Sequence, residues 1–454
     1  MIGLIGERNF ISVSINQKLK PDTLKVNNNG NLELSGYDLV KLADKFATPL
    51  YVIDEKTLRT ACTEYKNAFR KYKNLKFLFA SKALCTMATS KIFASEGFGF
   101  DVVSAGEIYT VYKAGIDMKK VLFNGNNKSV DELVMALEFG VGRISVDNFF
   151  ELSLLSEIAK KYKKNVDILL RIVPGIECHT HKYIQTGGNN SKFGFDINEI
   201  HNAVETVKNE YKNLRLKGLH AHVGSQIFEE KIYAKEINIL LPLMVELNEK
   251  YSIKMNELNL GGGLGVKYTM HDNPPTVEKL AEVIINSLEK NVKKYKIAPP
   301  VIYLENGRSL ISPAGVTLYT AGAIKKTVDG TKYVCVDGGM ADNPRPSLYQ
   351  ARYSAQIVNK PLEKNVEKVT IAGRFCESGD ILIKNIKLPR IEEGDIICVY
   401  NTGAYNYSMA SNYNRVPRPA AVLVKDGKAE IIVKRETLED LVRNDKMPQR
   451  LGEK

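Results

Sequence analysis

Residues 99–148 read GFDVVSAGEIYTVYKAGIDMKKVLFNGNNKSVDELVMALEFGVGRISVDN. Three short β-rich runs stand in this stretch: Phe100–Ser104, Val121–Asn124 and Ile144–Asp147. Between them lie AGEIYTVYKAG and VDELVMALEFG, whose apolar residues recur near the helical period. Strands alternating with amphipathic helices are the signature of parallel βα units. The same alternation extends outward to residues 75–307, with further strand candidates at Phe77–Ser81, Ile168–Val173, Gly218–Val223, Leu258–Leu260 and Ile302–Leu304. Eight βα units predict a (β/α)8 barrel.

Beyond residue 310 the pattern changes. GVTLYTAGAI, YVCVDGG, KVTIAG and DIICVY are β-rich without long helices between them, and AAVLVKDGKAEIIVKR reads as a hairpin turning at Asp426-Gly427. This half is expected to form a mostly antiparallel β-domain. Residues 1–48 are not barrel-like, and NLELSG is expected to lend that domain a strand. The predicted division is therefore a barrel over 49–309 and a β-domain made of 1–48 and 310–454.

Bulk properties narrow the class. At 454 residues, 44% hydrophobic and 26% charged, the chain can bury a large core and has an ordinary soluble composition. The net charge of +12 comes from scattered lysines, such as Lys163-Lys164 and Lys293-Lys294. No basic run of five or more residues occurs, so a lysine-rich solvated surface is expected rather than a nucleic-acid partner. The cysteines Cys62, Cys85, Cys178, Cys335, Cys376 and Cys398 include no C-x-x-C pair, which points to reduced thiols and no metal. MIGLIGERNF lacks a basic segment followed by an apolar one, and no apolar run approaches ~18 residues. A cytoplasmic protein without a membrane partner is the expectation.

In such barrels ligands sit at the C-terminal ends of the strands. Those ends read Lys82, Ser104, Asn124, Arg171, His222, Gly261-Gly262-Gly263 and Glu305, with Arg308 just beyond. Singly, each has an ordinary reading. Lys82 can mark an exit to solvent, His222 can be a core histidine, the glycines can form a tight turn, and Glu305 can pair with an arginine. Together they suit pyridoxal 5'-phosphate. Its aldehyde needs a lysine amine, its phosphate needs close backbone N–H groups, and its ring nitrogen needs a carboxylate. A flat imidazole can cover one ring face.

The motifs FASKA, HAHVGSQ, GGGLG, ENGR, CESGD and GAYNYSMASNYN occur in that order over nearly the whole chain. In combination they resemble the barrel-type (fold type III) pyridoxal-phosphate decarboxylases, and within these the diaminopimelate decarboxylase family. The resemblance implies that Lys82 carries the cofactor and His222 stacks on its ring. It implies that Ser225, Gly261, Gly262 and Gly263 hold the phosphate and that Glu305 faces the pyridine nitrogen. Gly307, Arg308 and Tyr405 then lie at the cofactor, and Cys376 is the proton donor. Arg308, Arg345 and Tyr349 would hold a distal carboxylate, Glu377 a distal amine, and Tyr405 also touches substrate. Cys376 and Glu377 would serve the partner subunit's barrel, so a homodimer with shared sites is implied.

The chain departs from the family at Asn306 and Arg374, where proline is usual or frequent. The stretch 176–190, long, polar and glycine-containing, is read as a mobile loop near the mouth.

Substrate follows from the distal group. Ornithine needs only carboxylates around its amine, whereas diaminopimelate needs a cation and an anion together. In DNPRPSLYQ, Arg345 and Tyr349 are four apart and share a face if helical. Arginine's fork suits a carboxylate; its ordinary alternative is a surface ion pair. The implied activity is decarboxylation of meso-diaminopimelate to L-lysine. Decarboxylation of arginine, ornithine or carboxynorspermidine is the alternative on the same fold. CESGD argues against racemisation, and the presence of Lys82 and Cys376 argues against a catalytically dead homologue.

Overall fold

A computed structural model describes residues 13–176 and 191–452. Eight parallel strands close into a barrel: β1 (Leu75–Ala80), β2 (Gly99–Val102), β3 (Val121–Phe123), β4 (Arg143–Val146), β5 (Val166–Val173), β6 (Leu214–His220), β7 (Glu257–Asn259) and β8 (Val301–Asn306). β8 returns to β1, with Glu305 opposite Leu78, and β4 pairs with β5, so no edge is left. Every run expected to be a barrel strand is one, within a few residues at its ends.

Local chemistry fixes the helices between them. In the helix Val130–Phe139, Ser129 accepts from the Glu132 N–H while Glu132 reaches back to the Ser129 N–H, and Gly140 ends the helix at φ 77°. Ser104 caps Ala105–Lys113 by accepting from the Glu107 N–H. Its place at a strand end is therefore a capping position, because β2 stops two residues earlier, at Val102. Strand and helix faces meet in one continuous core, in which Phe79 stacks on Phe93 with ring centroids 3.7 Å apart.

The second domain is a mixed, mainly antiparallel sheet around the long strand Gly315–Lys326. That strand pairs antiparallel with Lys332–Val336, Ile396–Tyr400 and Leu50–Asp54. The expected hairpin joins Ala420–Lys425 to Lys428–Val433, and its turn residues Asp426 and Gly427 take φ 46° and 74°, as a type I′ turn requires.

One expectation is corrected here. Leu50–Asp54 falls within the range expected for the barrel, 49–309, yet it lies in the second sheet, against residues 315–318 and 420–424. LYVID is buried along its whole length, and a run without alternation does not tell which core it serves. The division accordingly follows Asp54. NLELSG lends the second domain a strand, as expected, though outside the large sheet. Leu32–Leu34 forms its own three-stranded sheet with Lys25–Val26 and Tyr37–Asp38, while Leu32 and Leu34 pack into the core of the second domain.

Of the loop expected at 176–190, all but Ile176 lies outside the described residues, as do MIGLIGERNF and Cys178. Among the described residues no helix is long and apolar enough to cross a membrane.

Candidate active site

Lys82 sits in the turn Ser81–Ala83 that follows β1, at the C-terminal mouth of the barrel. Its side chain keeps 37% of its surface open, so it is reachable from the mouth. Its Nζ lies 3.3 Å from Oδ2 of Asp101, a wholly buried carboxylate on β2. The Asn124 side-chain amide, just past β3, donates to Asp101 at 2.5 Å and to Glu305 Oε1 at 2.9 Å. Asn259, at the end of β7, donates to the same Glu305 oxygen at 2.7 Å. His220 Nε2 stands 3.7 Å from the other one, with its own Nδ1 held 2.7 Å from Ser145 Oγ. A lysine and two carboxylates are thus fixed around the mouth by amides and an imidazole.

These contacts sort the charges. Burial works to raise the Glu305 carboxyl, but His220, Lys82 and His222 face it and hold it below the usual carboxylate range. Asp101 shifts upward, through burial and the nearby Glu305. For Lys82 burial works downward, yet Asp101, Tyr405 and Glu305 outweigh it and raise the ammonium above its ordinary value. His222 is pushed well below its ordinary value by burial and by Lys82. Its Nδ1 accepts the Gly262 N–H at 3.2 Å, so the ring is a neutral imidazole without a proton on that nitrogen.

The glycines after β7 are there for space. Gly261 and Gly263 take φ 61° and 115°, and a Cβ on Gly262 would lie 2.0 Å from the Glu305 carbonyl oxygen. Beside this cradle, Ser225 Oγ accepts from Arg308 Nη2 at 2.9 Å. Gly307 brings the chain against Ala80 and Ala83, where a Cβ would come within 3.0 Å of Ala80 Cβ. A phosphate beside such backbone, a flat ring beside His222 and a carbonyl within reach of Lys82 fit pyridoxal 5'-phosphate.

Arg308 also begins a second chain of contacts. Its Nη1 donates to Tyr268 OH at 2.8 Å, and its guanidinium lies 4.6 Å over the Tyr405 ring. On the face of Tyr268, 4.6 Å away, lies the guanidinium of Arg345, which also donates to Tyr353 OH. Arg345 opens the short helix Arg345–Tyr349 and is 5% exposed; Tyr349, on the same helix, is half-buried. Among the described residues Arg345 has no carboxylate partner. Its burial excludes the surface ion pair as its reading, and the described groups that face the cation are the phenols of Tyr268 and Tyr353.

Cys376 and Glu377 sit apart from this cluster, exposed in the loop between Glu367–Ala372 and Ile381–Leu388. The Cys376 N–H donates to Asn414 Oδ1 at 3.1 Å, and Tyr413 OH donates to Glu377 at 2.6 Å. At the departure site Arg374, the backbone N–H donates to Gly338 O at 2.9 Å, a bond a proline cannot make. Asn306, the other departure, is buried, and its Nδ2 has no partner among the described residues.

Sequence reasoning missed Asp101, His220, Asn259, Tyr268 and Tyr353. Asp101 and Asn259 were legible as inward-facing polar residues in otherwise apolar strands. Tyr268 and Tyr353 carry no such signal, since each reads as an ordinary apolar core residue.

If Glu305 stabilises a protonated ring nitrogen, Glu305→Gln is expected to keep the cofactor and lose roughly 100-fold or more in turnover, the scale of one preorganised electrostatic group. Absorbance of bound cofactor and kcat check this; near-normal kcat would rule the role out.

The model for "Pyridoxal-dependent decarboxylase, pyridoxal binding domain" matches residues 55–312. The chain is 45% identical to the diaminopimelate decarboxylase of Bacillus subtilis (strain 168), over 95% of this chain and 99% of that one. It is 46% identical to that of Synechocystis sp., over 97% and 95%. Its fold is similar to the crystal structure of diaminopimelate decarboxylase from M. jannaschii in co-complex with L-lysine. There the TM-score is 0.89 at 35% identity, covering 96% of this chain and 100% of that one.

Proposed function

From a chain that belongs to the diaminopimelate decarboxylase family of pyridoxal-dependent decarboxylases, we propose the conversion of meso-diaminopimelate to L-lysine and carbon dioxide, the last step of lysine biosynthesis. The observation that carries the substrate assignment is Arg345. It is a buried guanidinium without a carboxylate among the described residues, linked through Tyr268 to Arg308 at the cofactor cradle. A simple diamino acid offers that cation nothing, whereas the distal carboxylate of diaminopimelate completes it.

Pyridoxal 5'-phosphate, when bound, supplies the conjugated sink for the electron pair left as carbon dioxide departs. Lys82 holds it covalently, and Ser225, Gly261, Gly262, Gly263 and Arg308 hold its phosphate. Gly307 lets the chain carrying Arg308 approach. Glu305 would keep a proton at the ring nitrogen, and neutral His222 would cover one ring face. Arg308, Arg345 and Tyr349 bind the distal carboxylate, Glu377 binds the distal amine, and Tyr405 touches both cofactor and substrate. Cys376 delivers the proton to the α-carbon.

Exposed Cys376 and Glu377 sit apart from Lys82 and suit a site built across two subunits, so a homodimer is part of the proposal. So is the cytoplasm, whose reducing conditions keep thiols such as exposed Cys376 free. Mixing Lys82→Ala with Cys376→Ala protein is expected to restore part of the activity, because one hybrid site regains both residues. If subunits demonstrably exchange and no activity returns, the shared site fails. Incubating purified protein and cofactor separately with meso-diaminopimelate, ornithine and arginine tests the substrate. The expected result is lysine from the first alone; putrescine or agmatine as main product would point to the alternative.

A further inference from the structure

The strands that bring Lys82, Asn124 and Glu305 to one end of the barrel leave a notch at the other. Leu78 of β1 pairs with Gly99, the first residue of β2, so Leu75, Lys76 and Phe77 run on with β8 as their only paired neighbour. The stagger opens a cavity of about 580 Å³. Its walls include Phe69, Tyr72, Phe77, Phe98 and Tyr303. Tyr72 and Phe77 are half-buried and give the cavity its aromatic surface; Phe77 is held from behind by two buried rings, Phe98 stacked at 5.2 Å and Phe69 edge-on at 5.7 Å. Gly99 lets the chain at Lys120 pack against the start of β2, since a Cβ there would lie 2.3 Å from the Lys120 carbonyl oxygen.

The rim is cationic and its charge is not neutralised. Lys66 is satisfied by Glu96 at 2.6 Å, and Arg143 by Asp167 and Glu257, each at 2.8 Å. Arg70, Lys73, Lys76, Lys119 and Lys120 are exposed and have no ion pair among the described residues, and Lys76 lies 5.3 Å over the Tyr303 ring. Glu96 is the one acid on the lining, and it also serves Arg59. Scattered lysines on a basic surface are ordinary. Five cations without an ion pair among the described residues, around an aromatic-walled cavity of ligand size, are not.

We infer that this notch is a second ligand site, for a small anion with a flat aromatic body of about mononucleotide size. The cations gather the charge, and the aromatic walls take the flat body. The inference stands apart from the decarboxylase reading, because neither the notch nor its test uses the catalytic mouth.

Calorimetric titration of the cofactor-loaded protein with AMP, adenosine and inorganic phosphate tests it. AMP is expected to bind saturably, one per chain, at least tenfold tighter than either fragment. The variant Lys73→Glu/Lys119→Glu changes two exposed side chains and is expected to fold and turn over normally. It should weaken AMP at least tenfold, and Tyr72→Ala should bring AMP down toward the affinity of phosphate. Absence of saturable AMP binding overturns the inference. So does AMP affinity unchanged in the double variant, or AMP binding that releases cofactor. Phosphate binding as tightly as AMP would remove the aromatic part of the claim.

Discussion

Lys82→Ala is expected to lose turnover by about 10⁴-fold or more, the scale on which removal of a covalently acting group is felt. The expectation rests on position. Lys82 is the reachable amine of the mouth, aimed at Asp101 and flanked by Glu305 through Asn124. Its ammonium is held charged by Asp101, Tyr405 and Glu305, so it must give up a proton before the nitrogen can react with a carbonyl. Borohydride reduction of the cofactor-loaded wild type, followed by peptide mapping, is expected to place the pyridoxyl group on Lys82. An adduct on another lysine, or a Lys82→Ala protein with undiminished kcat, sinks the assignment.

The second large effect concerns choice of substrate. Loss of carbon dioxide requires the breaking C–C bond to stand perpendicular to the conjugated system, so the distal end of the substrate must fix one pose. Arg345→Ala is expected to remove ~2–4 kcal/mol of transition-state binding for diaminopimelate, the range for truncating one partner of a buried charge pair. That corresponds to a loss of roughly 30- to 1,000-fold in kcat/KM. Activity toward lysine, which lacks the distal carboxylate, should fall far less or rise. Measuring kcat/KM for both substrates on both proteins separates the possibilities. Equal losses would make Arg345 a structural residue that braces Tyr268 and Tyr353.

The barrel was legible because strand and helix periods differ and because its helices announce themselves, as Ser129, Glu132 and Gly140 do. The polar strand ends were legible for the same reason: Lys82, His222 and Glu305 interrupt apolar runs. What stayed hidden was pairing. LYVID carries no period that assigns it to one core or the other, and Ser104 reads alike as a ligand or a helix cap. The bridge from Arg308 through Tyr268 to Arg345 joins positions far apart in sequence. A tyrosine in an apolar context gives no sign that its ring will lie under a guanidinium.

Leu50–Asp54 has a consequence for how the molecule is made. Ile53 lies opposite Gly315, so the chain leaves the second sheet, forms the entire barrel, and re-enters beside the place it left. On the ribosome the strand emerges early and must wait for its partner. At ~5–20 residues per second, roughly ten seconds to a minute pass before residues 315–318 are delivered. Through that interval a largely apolar strand, LYVID, stands with both edges open while the barrel folds behind it. Nascent chains arrested near residue 312 are expected to show a protease-resistant barrel and cleavage at 50–54. Protection of that strand before Gly315 is synthesised would mean that it first docks elsewhere.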